Sequence, residues 1–185
     1  GDGTIHEVIN GLMELPPERR PAFGVIPAGT ANDFARSCGI PREWDAALRT
    51  IESDTRRRLD LATVTGSWGV RYMSIGAFIG APAVIAEAAN LTGKTKGGFL
   101  GYLPHLPGVF RHRSHVRIDA DGEKWEQDVV ALEIANGSSG CSCPANPGAI
   151  PDDGLLDLLV VEPRSAVATL RLLMAVPSGG HVRLP

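Results

Sequence analysis

Cysteine is scarce in this chain: its 185 residues include three, Cys38, Cys141 and Cys143. An odd number, with no histidine at ligand spacing, argues against a disulfide framework of the secreted kind and favours a reducing compartment. The neighbouring Cys141 and Cys143 leave a redox or metal role open. No second pair accompanies them, however, and their surroundings are rich in glycine, serine and proline, so the sequence favours a structural role.

An excess of positive charge is also lacking. The 18 lysines and arginines are outnumbered by 21 aspartates and glutamates, which gives a formal net charge of -3. Such a chain has no overall basic field to attract a polyanion, so we expect no nucleic-acid partner. No apolar run approaches the roughly 20 residues that a membrane-spanning helix needs. We therefore predict a cytoplasmic protein that meets membranes at their surface. Nothing in the composition indicates an oligomeric state.

The first sixty residues show the alternation of helix and strand that is typical of an α/β domain. Apolar residues at helical spacing predict a helix that begins at about Thr4 and stops before Pro16. The apolar run from Phe23 to Pro27 predicts a short buried strand, followed by a tight loop and a short helix that Gly39 closes. Pro41 is predicted to start a further helix with one apolar side.

From about Arg56 onwards, short segments with alternating polar and apolar residues predict strands. The predicted elements are a hairpin around TGSWG, a helix from about Pro82 to Leu91, a hairpin that turns at Asp121 and Gly122, a buried strand in GLLDLLVVEP and a helix from Ala166 to Val176. We therefore predict a partial three-layer α/β nucleotide-binding domain in residues 1–57 and a β-rich, sandwich-like domain in residues 58–185.

Two loops rich in glycine and threonine carry the strongest chemical signal. In GDGT, at residues 1–4, the glycines beside Asp2 let the backbone approach a ligand closely, and the amides that open the following helix favour phosphate. In PAGTANDF, Gly29 again permits close approach and Thr30 offers a hydroxyl. After two parallel strands, both loops would meet at the sheet edge where α/β proteins bind nucleotides.

Each loop also has an ordinary structural interpretation. Asp-Gly is a common turn and threonine a common N-cap, so GDGT by itself is more typical of a turn than of a site. In the second loop, Asn32 and Asp33 are suited to capping the next helix. The functional interpretation therefore depends on the two loops occurring together.

The two loops resemble the signatures of the diacylglycerol kinase catalytic domain family. GDGTIHEVINGL is similar to its GGDGT motif without the first glycine, and GVIPAGTANDFAR to its Pro-x-Gly-Thr-x-Asn-Asp-Phe-Ala loop. LDLATV, SIGAFIGAPAV, IANG and PGAIPDDGLLDLLVVEP follow in the family's order, so the resemblance extends over essentially the whole chain. NAD kinases and phosphofructokinases share a GGDGT-like loop, but the second loop and DDGLLD favour lipid kinases. Sphingosine and ceramide kinases, in the same wider group, stay open.

The resemblance implies an NAD kinase/diacylglycerol kinase-like fold and an ATP-dependent kinase. Such an enzyme transfers the γ-phosphoryl group to the hydroxyl of diacylglycerol or a related lipid, giving phosphatidic acid. The residues implied in nucleotide binding are Gly1, Asp2, Gly3, Thr4, Gly29 and Thr30. Asp2 is implied as the catalytic residue, through its link to the catalytic magnesium ion. This fits the physics of phosphoryl transfer, in which positioning and charge neutralisation do most of the catalysis.

The resemblance further implies a structural magnesium ion in the second domain. Its ligands would be the Asp153 carboxylate and the backbone carbonyls of Ile150 and Leu155, hard oxygen atoms of the kind that Mg²⁺ prefers. Spacing alone favours a plain Asp-Gly turn before a strand.

Several other polar residues favour structural interpretations. Asp60 is expected to be a strand-edge residue or an interdomain hydrogen-bond acceptor, and Asn136 a turn residue before Gly137. The histidines His105, His112 and His115 are expected to form a solvated edge, with contact to anionic lipid headgroups as the alternative.

Two family elements are not found in the sequence. We expect the preceding strand-helix units before Gly1, and the general base, a glutamate, after Pro185. The chain is thus expected to be a segment of a longer kinase and inactive by itself. Two alternatives stay open: a non-catalytic nucleotide- or lipid-binding fragment, and a kinase of another hydroxyl acceptor such as a sphingoid base or NAD.

Overall fold

The computed structural model describes residues 1–92 and 112–184. Its Cα positions divide the chain into two compact units: unit 1 comprises Gly1–Gly76 and Ala135–Asp157, and unit 2 comprises Ala77–Ile134 and Leu158–Pro185. The chain thus returns to unit 1 after building most of unit 2. The predicted domain boundary after residue 57 stays a prediction. Composition alone carries no signal that a chain returns to an earlier unit.

Three helices belong to unit 1: α1 (Asp2–Met13), α2 (Asp33–Ser37) and α3 (Trp44–Glu52). α1 begins two residues before the predicted Thr4, because Gly1 is its N-cap and the acidic Asp2 suits the positive end of the helix dipole. α2 is closed as predicted by Gly39, which lies in the left-handed region at φ 69°. α3 begins three residues after Pro41, and its Trp44 is 61% exposed.

A β-hairpin completes the regular structure of unit 1 and confirms the hairpin predicted around TGSWG. β1 (Ala62–Gly66) pairs in antiparallel register with β2 (Gly69–Met73). The Asn10 side chain fixes α1 on this hairpin: its Nδ2 donates to the Tyr72 carbonyl at 3.0 Å, and its Oδ1 accepts from the Tyr72 amide at 2.9 Å. The helix that opens with GDGT is therefore anchored by a two-bond contact with a strand.

The strand predicted at Phe23–Pro27 is wrong for the structure described. This segment carries no strand assignment, and Phe23 and Ile26 are 38% and 41% exposed. A strand exists only through hydrogen bonds to a neighbouring strand. None of the strands in the described residues pairs with this segment, so the two loops do not follow a pair of described parallel strands.

Unit 2 contains most of the remaining strands and two helices. A three-stranded sheet has the order β3-β6-β7, and a separate hairpin joins β4 to β5. The bounds are β3 (Gly76–Gly80), α4 (Ala81–Thr92), β4 (Ser114–Ala120), β5 (Glu123–Val129), β6 (Ala131–Ala135), β7 (Asp157–Val161) and α5 (Ala166–Ala175). These elements confirm the predicted helices and the hairpin that turns at Asp121 and Gly122, both of which have positive φ.

The core of unit 2 lies against the β4-β5 hairpin. Alternate residues of β4 are buried, as a strand with one solvated face requires. Val116 and Ile118 pack with Val129 and Leu132, and Trp125 lies at the edge of this cluster. Among the described residues, no helix combines the length and hydrophobicity that crossing a membrane demands.

The opposite face of the hairpin is charged and includes His115. His115 Nδ1 lies 2.9 Å from Asp128 Oδ1, and its Nε2 lies 3.5 Å from Glu126 Oε2. Glu126 also pairs with Arg117. The predicted solvated edge thus contains a cross-strand ion network at His115, whereas His105 lies outside the described residues.

This network predicts a pH-dependent contribution to stability. Hydrogen bonds to Asp128 and then Glu126 raise the pKa of His115 above its ordinary value of 6.5. A pKa that is raised in the folded state stabilises the fold below the unfolded pKa, and this contribution disappears as the pH rises through the folded pKa. His115→Gln should therefore destabilise the protein in urea unfolding at pH 5 and have little effect at pH 9.

The control is Lys124→Gln, which removes the neighbouring Lys124-Asp119 pair on the same hairpin. Its effect should be small and similar across this pH range. An equal effect of His115→Gln at pH 5 and pH 9 would contradict the prediction.

Candidate active site

The first loop forms the opening turn of α1. Ile5 makes the first helical hydrogen bond, from its amide to the Gly1 carbonyl at 3.1 Å. The amides of Asp2, Gly3 and Thr4 precede this bond and therefore have no partner within the helix. Gly3 and Thr4 are exposed and Asp2 is half-buried. The turn presents these amides, which have no partner among the described residues, at the positive end of a twelve-residue helix, a favourable environment for phosphate.

The second loop is closed by the side chain of Asn32. Its Oδ1 accepts from the Gly29 amide at 2.8 Å, and its Nδ2 donates to the Gly29 carbonyl at 2.8 Å. Asn32 itself lies in the left-handed region at φ 51°. The expectation that Asn32 caps α2 with its side chain is wrong, because the side-chain amide of Asn32 is already hydrogen-bonded to Gly29. Thr30 remains exposed at the tip of this closed loop.

The structure brings the two loops into contact at their glycines. A Cβ atom added to Gly29 would lie 2.8 Å from Asn32 Oδ1 and closer still to the Cα atom of Gly1. A Cβ added to Gly1 would in turn lie 3.2 Å from the Gly29 Cα. Any larger residue at Gly29 would push the loops apart, so this position requires glycine.

The carboxylate of Asp2 joins the loops a second time. Its Oδ1 accepts from the Phe34 amide at 2.9 Å, and Phe34 lies in the first turn of α2. Asp2 therefore satisfies an amide that the N-cap Asn32 leaves open. The other oxygen, Oδ2, makes no hydrogen bond with any residue described and is available to a ligand.

Asp33 connects the second loop to residues 139–142. Its buried carboxylate accepts from Ser139 Oγ at 2.7 Å and from the Ser142 amide at 3.1 and 3.2 Å. Arg36 Nη1 lies 3.3 Å from the same carboxylate and 2.9 Å from Ser139 Oγ. Asp33 thus joins the second loop to residues 139–142 rather than capping α2. The sequence signals for this role are weak. Ser142, whose amide donates to Asp33, has a positive φ, and no glycine at this position indicates such a conformation.

Asn136, expected to be a turn residue, is a buried anchor with 1% exposure. Its Nδ2 donates to the carbonyls of Asp60 at 2.9 Å and Ser74 at 2.8 Å, and its backbone amide donates to the Ile75 carbonyl at 2.7 Å. Three chain segments of unit 1 therefore meet at this side chain. Sequence reasoning missed it because Asn-Gly is a frequent turn pair.

Removing this anchor should destabilise unit 1 markedly. Asn136→Ala leaves two carbonyls without their donor, so we expect a loss of about 2–3 kcal/mol in the free energy of unfolding. Asn136→Asp has the same shape but directs a carboxylate at both carbonyls, and should cost more than alanine. Urea unfolding measures both variants. An alanine variant within about 0.5 kcal/mol of wild type would contradict this role.

The predicted magnesium ligands lie on an exposed loop, residues 150–155, which we call the acidic loop. Ile150 and Leu155 are 49% and 66% exposed, and Asp153 Oδ1 accepts from the Leu155 amide at 3.0 Å. Gly154 has φ 78°, a conformation that favours glycine. The Arg57 guanidinium pairs with Asp152 and holds the pKa of that carboxyl below its ordinary range.

Asp60 contacts the acidic loop, since its Oδ2 accepts from the Gly154 amide at 2.7 Å. It is therefore an acceptor within unit 1. In the part of the chain described, no three histidine, cysteine, aspartate or glutamate side chains converge as a metal cluster. A cation at the acidic loop would accordingly depend on backbone carbonyls as well as on a carboxylate.

The three cysteines form no disulfide. Burial raises the pKa of the Cys38 thiol to about 11, which keeps it protonated and unreactive near neutral pH. Cys143 is buried, and Cys141 adopts a positive φ of 53° in the turn that carries Ser142. Residues 141–143 therefore form the turn whose Ser142 amide binds the Asp33 carboxylate.

Comparisons with known proteins agree with this arrangement. Residues 1–64 match the model of the diacylglycerol kinase catalytic domain, and residues 76–185 match that of the YegS C-terminal NAD kinase beta sandwich-like domain. The two matches follow each other along the chain, in the order expected from the motifs.

Similar curated proteins carry the name "Probable lipid kinase YegS-like". The one from Yersinia enterocolitica is 35% identical over 162 residues, which cover 85% of this chain and 53% of that protein. The one from Chromohalobacter salexigens is 33% identical over 177 residues, covering 94% of this chain and 56% of that protein. This chain thus spans about half the length of the curated relatives it matches.

A solved structure shows the same fold. The crystal structure of a diacylglycerol kinase from Bacillus anthracis str. Sterne is 28% identical, with a TM-score of 0.68, and the match covers 95% of this chain and 56% of that one. It confirms the expected combination of a nucleotide-binding domain and a β-sandwich-like domain. The chain therefore belongs to the YegS-like, diacylglycerol kinase-like family.

Proposed function

We propose that the protein of which this chain forms a part transfers the γ-phosphoryl group of ATP to the hydroxyl of diacylglycerol or a related lipid, giving phosphatidic acid or its analogue. The observation that carries the proposal is the contact between the two glycine loops, locked by the bond from the Phe34 amide to Asp2 Oδ1. It joins a loop that carries helix N-terminal amides and a carboxylate to a loop that carries an exposed hydroxyl. Those are the groups that phosphoryl transfer requires.

Each residue of the two loops has a separate task in this proposal. The amides of Asp2, Gly3 and Thr4 bind phosphate oxygens at the start of α1. Gly1 and Gly29 keep the loops close, and Thr30 offers its exposed hydroxyl to the nucleotide. Asp2 fits a cation as well as a structural role, because Phe34 occupies one of its oxygens and the other makes no hydrogen bond among the described residues. Mg²⁺, when bound with ATP, would neutralise charge on the phosphoryl group.

A second magnesium ion, with a structural role, fits the acidic loop. Asp153 has one oxygen held by the Leu155 amide. Within the ranges 1–92 and 112–184, no hydrogen bond is accepted by Asp153 Oδ2 or by the carbonyls of Ile150 and Leu155. Three hard oxygens on an exposed loop suit an ion that keeps several of its waters.

The lipid acceptor implies that the protein works at a membrane surface. The family supports a lipid as acceptor, and diacylglycerol is the member of that class to test first. A sphingoid base and NAD are the alternative acceptors, because related kinases share the glycine loop. A non-catalytic nucleotide- or lipid-binding protein is the alternative to all of them.

The test is an acceptor panel with the protein at its full native length. Radiolabelled ATP and Mg²⁺ are supplied with diacylglycerol or sphingosine in mixed micelles, or with NAD in solution. We expect label in phosphatidic acid. Labelling of NAD without labelling of any lipid would overturn the lipid assignment. A folded protein that binds ATP and labels no acceptor would favour the non-catalytic alternative.

A further inference from the structure

Three of the six residues of the acidic loop are bonded to a second segment, residues 57–60, and the other three are not. The Asp60 amide donates to the Pro151 carbonyl at 2.9 Å, the Arg57 guanidinium grips both carboxylate oxygens of Asp152, and the Gly154 amide donates to Asp60 Oδ2 at 2.7 Å. Residues 151, 152 and 154 are thus each held by the same segment.

The three residues left untied are the ones with ligand atoms. Ile150, Asp153 and Leu155 are all exposed, whereas Pro151 between them is buried. In an isolated flexible loop these oxygens would adopt many arrangements, and binding a cation would have to order them at an entropic cost. The ties to residues 57–60 remove much of that freedom in advance.

We propose that Arg57 is a positioning residue for the acidic loop: by gripping Asp152 it presets the Asp153 carboxylate and the flanking carbonyls to receive a divalent cation. The inference rests on the magnesium site proposed above. Arginine suits this task because its planar guanidinium makes two parallel bonds to a carboxylate and so fixes orientation as well as distance. The residue held in this way, Asp152, immediately precedes the proposed ligand Asp153.

A simple surface ion pair would behave differently. Arg57 and Asp152 side chains are 44% and 32% exposed, and pairs of that kind contribute little to overall stability. The adjacent Arg56 supplies a matched comparison, because it pairs with Asp54 at 2.6 Å in a still more exposed position. A role in ordering the loop therefore predicts an effect on cation affinity at Arg57 that Arg56 does not share.

The experiment measures Mg²⁺ binding to the full-length protein without nucleotide, by isothermal titration calorimetry. Arg57→Ala should weaken the affinity about 10-fold, within the range typical of residues that orient metal ligands. Arg57→Lys, which keeps the charge but loses the fork, should give a smaller loss. Exchanging the pair, with Arg57→Asp and Asp152→Arg together, should restore most of the affinity. Arg56→Ala should bind Mg²⁺ as wild type does.

Hydrogen exchange gives a second readout. Amides of residues 150–155 should exchange faster in Arg57→Ala than in Arg56→Ala, and Asp152→Asn should reproduce the effect if the alanine variant folds poorly. Equal Mg²⁺ affinity in Arg57→Ala and wild type, or an equal loss in Arg56→Ala, would overturn the proposal. If Asp153→Asn binds Mg²⁺ as wild type does, the cation site and its positioning residue are both wrong, while the acceptor panel still decides the kinase function separately.

Discussion

Asp2→Asn should lower the turnover number for phosphoryl transfer by about 10³-fold, while the protein stays folded. Asparagine retains an oxygen that can accept from the Phe34 amide, so the link between the loops survives. What disappears is the negative charge, together with the second carboxylate oxygen, Oδ2, which we assign to the cation. An NH₂ group in that place repels a metal ion instead of binding it.

Two measurements separate this effect from a loss of folding. Turnover is measured under saturating ATP and lipid with the full-length protein, and stability by urea unfolding. The matched control is Asp45→Asn, which neutralises an exposed acid in the first turn of α3. Loss of a first-turn charge costs each variant about 0.3–1 kcal/mol, so their stabilities should be similar. Full activity in Asp2→Asn would remove Asp2 from the catalytic role.

Gly29→Ala should reduce both ATP affinity and stability. The added Cβ would meet the Gly1 backbone and Asn32 Oδ1 at distances that real atoms do not adopt, and the Gly1 contact is backbone, which cannot rotate away. The loops must then separate. We expect a loss of about 1–3 kcal/mol in the free energy of unfolding, as for other overpacked sites, and ATP affinity weaker by about 10-fold or more.

The control is Gly11→Ala in α1. A Cβ at Gly11 has nothing within 4 Å, and alanine in a helix interior is favoured over glycine by roughly 0.5–1 kcal/mol. This variant should be slightly stabilised and bind ATP as wild type does. ATP affinity in Gly29→Ala equal to that of Gly11→Ala would show that close contact of the loops is not needed for nucleotide binding.

Local elements followed from the chain because their causes are local. The helix near the start, the short helix closed by Gly39 and the turn at Asp121 and Gly122 depend on periodicity, caps and left-handed positions that neighbouring residues specify. The motifs indicated the family and its two domain types, since short loops that bind phosphate need particular residues in a particular order.

The apolar run at Phe23–Pro27 shows the limit of this reasoning. Its composition suits a strand, yet the described residues contain no strand that pairs with it. β-structure depends on partners far away in the chain, so residue preferences alone do not determine it.

The roles of Asp33, Asn136 and Arg57 also depend on partners far away in the chain. Asp33 looked like a helix cap and Asn136 like a turn residue, but their partners lie more than sixty positions away, at residues 139–142 for the first and at Asp60 and Ser74 for the second. The sequence alone predicted the chemistry proposed for this protein, since it contains two loops of the kind that bind phosphate and a late acidic loop. Tertiary structure decided which atoms meet, because hydrogen bonds between distant segments form only once the chain has folded and brought them within hydrogen-bond distance of one another.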